Sequence, residues 1–443
     1  MPPVKIMDNG PDADRMVIVV LGDGYAQADQ AKYRDDVRRL VVNGVLAHDV
    51  YGDNRRAFNV YRVDLVSAET GVSTPTKTKD TALKLVYTGK WNSCWIRPSA
   101  QTTARIKAAV KGIDYNLVLL VCNENGFGGC QSSNRMYITS GINWDLVAHE
   151  YGHAIAGLFD EYVEKNEDYP GPAINNGNCS TVLDRGEVVW KSLIAAATQV
   201  PTKLGGGVGA ATVGMFEGCN AYKKKIYRPA DNCLMRESDQ NPPPPFCPVC
   251  RPLMTAALAP YLPPNPGGGH AGHNDATGGE AEIMGEGNKD AGGSYLFVEL
   301  SITPDGEFEV LSAEEMPGTP VAQKAPVSRF AYEVVTGNDS LSVETLGEDP
   351  FVSRSFPEPN SGQYHREVRT DSTVLNVRIP VSASGLADSQ NEISLRFYAV
   401  DPGADVSTLD AATLPAMNDG GQLQLRAEIP ADRLRSAILE KLE

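Results

Sequence analysis

The run AHEYGHAIAGLFDEY, residues 148–162, decides both the fold and the chemistry that this chain can carry. Its small and apolar residues predict a helix from Ala148 to Ala156, on which His149 and His153 lie one turn apart on the same face. Two imidazoles at this spacing can bind one metal ion, and zinc suits neutral imidazole ligands. Glu150 lies beside them and can act as general base towards a metal-bound water.

A third metal ligand should follow this helix, because two imidazoles alone hold zinc weakly. Gly157 can adopt the left-handed conformation that ends a helix and turns the chain back. The turn brings an acid pair towards the metal, and we favour Asp160 over Glu161 as the ligand. In a thermolysin-like arrangement, the more distant Glu164 or Glu167 would supply the ligand instead.

The same run resembles the signature of the igalysin family, which are metallopeptidases of the metzincin type named for members that cleave immunoglobulin A. The other matching stretches are LGDGY at 21–25, FNVYRVDLVSAETGV at 58–72 and YRPADNCLMR at 227–236. The resemblance therefore covers roughly the first 260 residues. The usual metzincin pattern has its glycine and its third ligand one residue earlier than this chain, which leaves the choice between Asp160 and Glu161 open.

The resemblance implies a metzincin-like α/β catalytic domain, with a mixed twisted sheet and an active-site helix. It implies that Met235 lies in a Met-turn, where the thioether forms an apolar floor beneath the metal ligands; plain core packing is the alternative. It also places Tyr227 as a donor to a developing oxyanion, with a packed surface tyrosine as the alternative. In such folds substrate pairs with the sheet edge that precedes the helix, and Met136–Thr139 takes that place.

Three stretches predict strands of the sheet, and two predict helices. The stretch Arg15–Tyr25 predicts a buried strand followed by a glycine turn, and Phe58–Val66 and Tyr115–Cys122 predict two further strands. The predicted helices are Gln30–His48 and Thr103–Lys111. The nearly continuous apolar character of Tyr115–Cys122 is typical of a central strand that is buried on both faces.

The composition changes after the first 262 residues. We expect a zinc metallopeptidase catalytic domain at 1–262 and a linker rich in Gly, Pro and Asn at 263–293, which cannot bury enough apolar surface to fold alone. Residues 294–443 contain alternating, β-rich runs between turn residues, which predict a smaller β-sandwich as an accessory domain. A short helix at 430–442 is expected to close it.

The eight cysteines all precede residue 251, which indicates disulfides within the catalytic part and an oxidising compartment. Their pairing cannot be derived from sequence. Cys247 and Cys250 form a CxxC motif, which we interpret as a disulfide anchoring a helix at 251–262, because a zinc ribbon would need a second CxxC. Free buried thiols in a cytosolic enzyme are the alternative.

The charge and hydropathy of the chain exclude several partners. A formal net charge of −16 disfavours binding to nucleic acid or to an anionic membrane surface, since both depend on clustered basic residues. The sequence contains no apolar run of 18 residues that could span a membrane. The first ten residues lack the apolar core of a signal peptide, and we interpret the chain as a mature secreted protein, extracellular or periplasmic, whose leader is absent.

Together these features predict a zinc-dependent endopeptidase in which a metal-activated water, with Glu150 as general base, attacks the peptide bond. The expected substrates are extended proteins or glycoproteins, and immunoglobulin A is a candidate through the resemblance. A metal-dependent amidase that acts on another bond is one alternative. A binding or adhesion protein with a vestigial metal site is another, against which the intact Glu150 argues.

Overall fold

The computed structural model describes residues 2–89, 95–132, 134–204, 208–209, 211–236, 242–264, 293–355, 366–388 and 390–442. Nearly all of the predicted linker at 263–293 therefore lies outside the described residues. The helices are α1 (Gln30–Val37), α2 (Asp49–Asp53), α3 (Thr102–Val110), α4 (Trp144–Ala156), α5 (Cys250–Leu258), α6 (Ala383–Ala387), α7 (Leu414–Asp419) and α8 (Ala431–Leu442).

The strands fall into a set before residue 229 and a set after residue 293. The first set is β1 (Val4–Met7), β2 (Met16–Asp23), β3 (Phe58–Val63), β4 (Val86–Tyr87), β5 (Ile96–Arg97), β6 (Leu117–Cys122), β7 (Gly129–Ser132), β8 (Arg135–Thr139), β9 (Val163–Asp168), β10 (Asn175–Asn176), β11 (Cys179–Ser180), β12 (Phe216–Cys219) and β13 (Ala221–Arg228). The second set is β14 (Ser294–Ile302), β15 (Phe308–Pro317), β16 (Phe330–Thr336), β17 (Asp339–Leu346), β18 (Val352–Ser355), β19 (Arg366–Arg369), β20 (Thr373–Ile379), β21 (Ile393–Val400) and β22 (Leu423–Ile429).

The main sheet has eight strands in the order β1-β3-β2-β6-β8-β7-β18-β19. Its centre is parallel, since β2 pairs in parallel with β3 and β6, and β6 pairs in parallel with β8. The strands β1, β7, β18 and β19 are antiparallel to their neighbours. The strands β2 and β6 are buried along their whole length, as expected for apolar strands covered on both faces. A mixed sheet with few helices fits the predicted α/β class.

The two faces of this sheet are covered by different parts of the chain. On one face α1, α4 and α5 pack with the even-numbered side chains of β2, such as Ile18 and Val20. On the other face α3 packs with the odd-numbered ones, such as Val17 and Val19, and Tyr295 and Phe297 of β14 join that core. The alternation of side chains along β2 therefore assigns α4 to the first face.

The predicted substrate edge at Met136–Thr139 is wrong. This segment lies within β8, which pairs with β6 on one side and with β7 on the other, so it is internal to the sheet. The error has a local cause: β7 contains Gly129 and polar residues, and its composition is that of a loop rather than a strand.

The residues after 293 form two antiparallel sheets, ordered β15-β14-β20 and β17-β16-β21-β22. Apolar side chains from both sheets meet in one core, in which Val298 and Val377 of the first sheet pack with Tyr332 and Phe397 of the second. The helix α8 closes this core, close to the predicted bounds. This is the packing of a β-sandwich.

The two halves of the chain share the main sheet. Strand β18, from the second half, pairs antiparallel with β7, with Ser353 opposite Ser132 and Arg354 opposite Gln131. The hydroxyl of Ser353 also donates a hydrogen bond to the carbonyl oxygen of Gln131, at 3.0 Å. The outer edge of β7 is thus covered by β18. Among the described residues no helix is both long and apolar enough to cross a bilayer.

Candidate active site

Helix α4 carries the two histidines and Glu150, as predicted. It follows Asn143 at the N-cap position, although the Asn143 side chain makes no capping hydrogen bond among the described residues. The helix ends at Gly157, which has φ 69° and donates its backbone N–H to the carbonyl oxygens of Gly152 and His153. The predicted left-handed glycine turn is confirmed, and it sends the following acid pair back along the helix.

The second half of the chain also packs closely against Gly157. A Cβ atom at this position would lie 1.6 Å from the carbonyl oxygen of Val327. The backbone N–H of Val327 in turn donates to the carbonyl oxygen of Ala156, at 3.1 Å. Glycine is therefore required here both by the backbone conformation and by the contact with Val327.

We expect Gly157→Ala to lower the free energy of unfolding by more than about 2 kcal/mol, since the left-handed conformation alone costs roughly 1–2 kcal/mol and the contact adds to it. Gly112→Ala is the matched control, because Gly112 has φ 81° but open space around its missing Cβ. Chemical denaturation of both variants measures the difference. Equal losses in the two variants would contradict a role for the Val327 contact.

Three side-chain atoms converge on one point beside α4. Nε2 of His149 and Nε2 of His153 lie 3.2 Å apart, and each lies 3.1 Å from Oδ1 of Asp160. All three residues are buried. Of the two acids that the sequence left open, Asp160 is the one that faces the histidines.

The other ring nitrogens fix the tautomers. Nδ1 of His149 lies 2.9 Å from the carbonyl oxygen of Leu234, and Nδ1 of His153 lies 2.6 Å from that of Leu158. A carbonyl oxygen only accepts, so each Nδ1 carries a hydrogen, and in the neutral ring each Nε2 presents its lone pair to the other two atoms. Such carbonyl partners typically orient metal-binding histidines.

The triangle fits three ligands of a tetrahedral zinc ion. With zinc–ligand bonds of about 2.0–2.1 Å, the edge of such a tetrahedron is about 3.3 Å, close to the observed 3.1–3.2 Å. Two imidazole nitrogens and one carboxylate oxygen are a donor set that could hold a zinc ion and leave its fourth position open.

The electrostatics of the site differ between its members. Burial lowers the pKa of His153 to about 4, with the charge of Arg354 acting in the same direction, so this ring is neutral. Burial also lowers the pKa of His149, but its hydrogen bond with Asp160 and the charge of Glu150 raise the pKa above its ordinary value overall. Burial raises the pKa of Glu150 to about 8, against the charges of His149 and Arg354.

Glu150 lies next to the triangle without being part of it. Its Oε1 is 4.0 Å from Nε2 of His149. The carboxylate therefore lies beside the side chains that could hold a metal ion.

The sequence of the first half matches one known family. Residues 4–207 match the family described as IgA Peptidase M64, which are the igalysins. These residues belong to the igalysin family. They include the triangle and Glu150, so the resemblance carried by the run 148–162 is confirmed. The family is one of metallopeptidases, which hydrolyse peptide bonds. No curated protein matches the chain.

Met235 lies outside the matched igalysin residues but packs directly under the active-site helix. It is fully buried, and a Cβ added to Gly152, between the two histidines, would lie 2.8 Å from its sulfur. The neighbouring Leu234 accepts the hydrogen bond from His149. Met235 thus lies in a turn that packs against the helix of the two histidines, and its role as a Met-turn stays a prediction.

Sequence reasoning missed two residues that act on the triangle or on Glu150. The hydroxyl of Tyr162 donates a hydrogen bond to Asp160, and burial raises the pKa of that hydroxyl. Arg354 of β18 forms an ion pair with Glu348 at 2.8 Å and acts electrostatically on Glu150 and Asp160. Tyr162 directly follows the acid pair in the sequence and could have been considered from that position. Arg354 lies in a short polar strand, and no local sequence pattern indicates its role. Tyr227, in contrast, packs in the core on β13.

The expectation of disulfides within the first half of the chain is confirmed in part. Cys179 and Cys219 form a disulfide between β11 and β12, and Cys130 is also disulfide-bonded. The predicted CxxC disulfide is wrong, because Cys247 and Cys250 are free thiols. Both sulfurs face Glu161, at 3.8 and 3.0 Å from its Oε1. The second acid of the DE pair is therefore turned away from the histidines.

Proposed function

We propose that the protein is a zinc-dependent endopeptidase. The observation that carries the proposal is the triangle of His149, His153 and Asp160 beside Glu150 on an igalysin segment. The carbonyl partners of both histidines support it, since they leave two lone pairs and a carboxylate facing one point, an arrangement that a cation stabilises. His149, His153 and Asp160 would hold the zinc.

Zinc bound there would lower the pKa of a coordinated water and polarise the scissile carbonyl. Glu150 takes the proton of the attacking water and passes it to the leaving amine. Burial raises the pKa of Glu150 to about 8, so its protonated form is stable enough to carry the proton to the leaving amine. Tyr162, by donating to Asp160, holds that carboxylate in place.

Removing the metal should abolish hydrolysis. We expect a chelator to reduce peptide cleavage to background and one equivalent of zinc to restore it, because apart from Glu150 the chemistry depends on the bound ion. Cleavage of a fluorogenic peptide library, followed beside zinc content, measures this. Full activity in a metal-free preparation would refute the proposal, and turnover of small amides without any peptide cleavage would favour an amidase.

We further propose that an extended substrate pairs with β7 in the place that β18 holds in this structure. Without β18 and β19, β7 would be the edge strand of the main sheet, and a peptide that joins a sheet edge gains main-chain hydrogen bonds. β18 already makes those bonds and carries Arg354 next to the site. Substrate and β18 would therefore compete for one edge.

Locking β18 onto β7 tests this competition. Ser132 and Ser353 lie directly opposite each other, so the double variant Ser132→Cys, Ser353→Cys can form a cross-strand disulfide. We expect the oxidised variant to cleave a protein substrate more than about tenfold more slowly than the reduced one, a loss of about 1.4 kcal/mol. Wild-type protein treated with the same mild reductant is the control. Equal rates in the oxidised and reduced variants would show that substrate does not use this edge.

The substrates that we propose are extended protein or glycoprotein segments, with immunoglobulin A as one candidate through the family. Parallel digests of immunoglobulin A, a mucin and unstructured casein discriminate between them, and cleavage of casein alone would indicate a general endopeptidase. The disulfide of Cys179 and Cys219 supports secretion into an oxidising compartment. We also propose the residues after 293 as an accessory domain.

A further inference from the structure

A second group of metal-binding side chains lies behind the triangle. It consists of Glu161, Cys233, Cys247 and Cys250, which we call the cysteine cluster. All four residues are at most 2% exposed. Their ligand atoms, three sulfurs and one carboxylate oxygen, lie within 4.8 Å of one another. We propose that the cysteine cluster binds a second, structural zinc ion.

The distances within the cysteine cluster fit tetrahedral coordination. With zinc–sulfur bonds of about 2.3 Å, two sulfurs on one ion are about 3.8 Å apart, and a sulfur and an oxygen are about 3.5 Å apart. Oε1 of Glu161 lies 3.0 Å from Sγ of Cys250 and 3.8 Å from Sγ of Cys247. Four protein ligands without an open position are the mark of a structural site rather than a catalytic one.

The backbone around the sulfurs is arranged for thiolates. The N–H of Cys247 donates to Sγ of Cys233 at 3.3 Å, and the N–H of Cys250 donates to Sγ of Cys247 at 3.4 Å. Oε2 of Glu161 has no hydrogen-bond partner within the described part of the chain. Arg228, itself buried, acts on the charge of Glu161. With a divalent cation bound, three thiolates and the Glu161 carboxylate would surround it, and their charges would balance that of the buried ion.

The alternative, a disulfide, leaves this environment unexplained. Any disulfide among Cys233, Cys247 and Cys250 would use two sulfurs and leave the third beside a fully buried carboxylate. The structure has all three as free thiols, while it joins Cys179 to Cys219 elsewhere. A metal ion uses the three sulfurs and the carboxylate together.

The second zinc would stabilise the segments that position the candidate active site. Glu161 is adjacent to Asp160 of the triangle, and its backbone N–H donates to the carbonyl oxygen of Met235 at 2.8 Å. Cys233 begins the turn that holds Leu234 and Met235, and Cys250 begins α5, which packs against α4. The ion would thus tie together the acid pair, the turn beneath the histidines and the closing helix, so that the two adjacent acids serve two different ions.

Counting zinc in matched variants tests the proposal. We expect two zinc ions per chain in the purified full-length protein, one in the variant His149→Ala, His153→Ala and one in the variant Cys247→Ser, Cys250→Ser. Cys122→Ser is the control, because Cys122 is a buried free thiol outside the cluster, and it should keep both ions. One zinc in the wild type that is lost with the histidines would overturn the second site. One zinc that is lost only with the cysteines would keep it and refute the proposed catalytic metal instead.

A spectroscopic measurement on the wild type covers the case in which the serine variant does not fold. Cobalt substituted for zinc should show thiolate-to-metal charge-transfer absorption, which two imidazoles and a carboxylate cannot give. The band should persist in His149→Ala, His153→Ala. Its absence, or a disulfide among Cys233, Cys247 and Cys250 in peptide mass mapping of the protein as purified, would overturn the proposal.

Discussion

Glu150→Gln is expected to lower kcat/KM for a peptide substrate by about 10²–10⁴-fold, the usual contribution of a general base. Glutamine keeps the size of the side chain but cannot accept the proton of the attacking water. The triangle of His149, His153 and Asp160 is untouched, so the zinc content should stay at the wild-type level. Steady-state kinetics together with metal analysis of the same preparation measures both.

Glu164→Gln is the control for this variant. Glu164 is a partly buried acid on β9, and burial raises its pKa to about 7, yet it lies outside the triangle. We expect this control to keep nearly wild-type kcat/KM. Near wild-type activity in Glu150→Gln would exclude Glu150 as the base, and a thermolysin-like role for Glu164 would appear as a loss of zinc in the control.

Asp160→Asn is the second change with a large expected effect. Changing a residue that hydrogen-bonds to a metal ligand lowers the affinity for the metal by about 10–100-fold. Removing the anionic ligand of the triangle itself should therefore weaken zinc binding at least about 100-fold. Activity at limiting zinc should fall in parallel, and excess zinc should restore part of it. A competition titration with a zinc-binding dye measures the affinity.

Glu161→Gln is the comparison that makes this prediction sharp, since the two acids are neighbours in sequence but face different groups. We expect Glu161→Gln to keep the zinc ion that His149 and His153 bind. If Asp160→Asn bound zinc like the wild type while Glu161→Gln lost the histidine-dependent ion, Glu161 would be the third ligand.

The active-site helix could be predicted from the sequence because its signals are local. The spacing of His149 and His153, Glu150 between them and the glycine at 157 all act within one turn or two, and the structure has them as predicted. The central strands could be predicted for a similar reason, since runs such as Leu117–Cys122 are apolar throughout. Local patterns of this kind predict structure without knowledge of contacts to distant parts of the chain.

The prediction for Cys247 and Cys250 failed because the cluster depends on residues far away in the chain. A CxxC motif shows two ligands, whereas Cys233 and Glu161 reach it only through the packing of α5 against α4. The same limit left Asp160 and Glu161 undecided, since the direction of each side chain after Gly157 depends on what lies on either side of the turn.

Strand β18 was invisible for a different reason. Its residues, Val-Ser-Arg-Ser at 352–355, have neither the alternation nor the apolar content of a strand, and they become one only by pairing with β7. In that position Arg354 is buried and forms an ion pair with Glu348. Strands β7 and β18 lie too far apart in the chain for any local sequence pattern to reveal their pairing.

The pairing of β18 with β7 also sets an order of events during synthesis. Ser353 bonds Gln131 across 222 residues, and at about 5–20 residues per second the partner strand leaves the ribosome on the order of 10–40 s after β7. Until then β7 is an open sheet edge on a nascent chain, which is a site for aggregation unless a chaperone or a fast fold protects it. The surroundings of the histidines, Arg354 included, are completed late, when most of the chain has been translated.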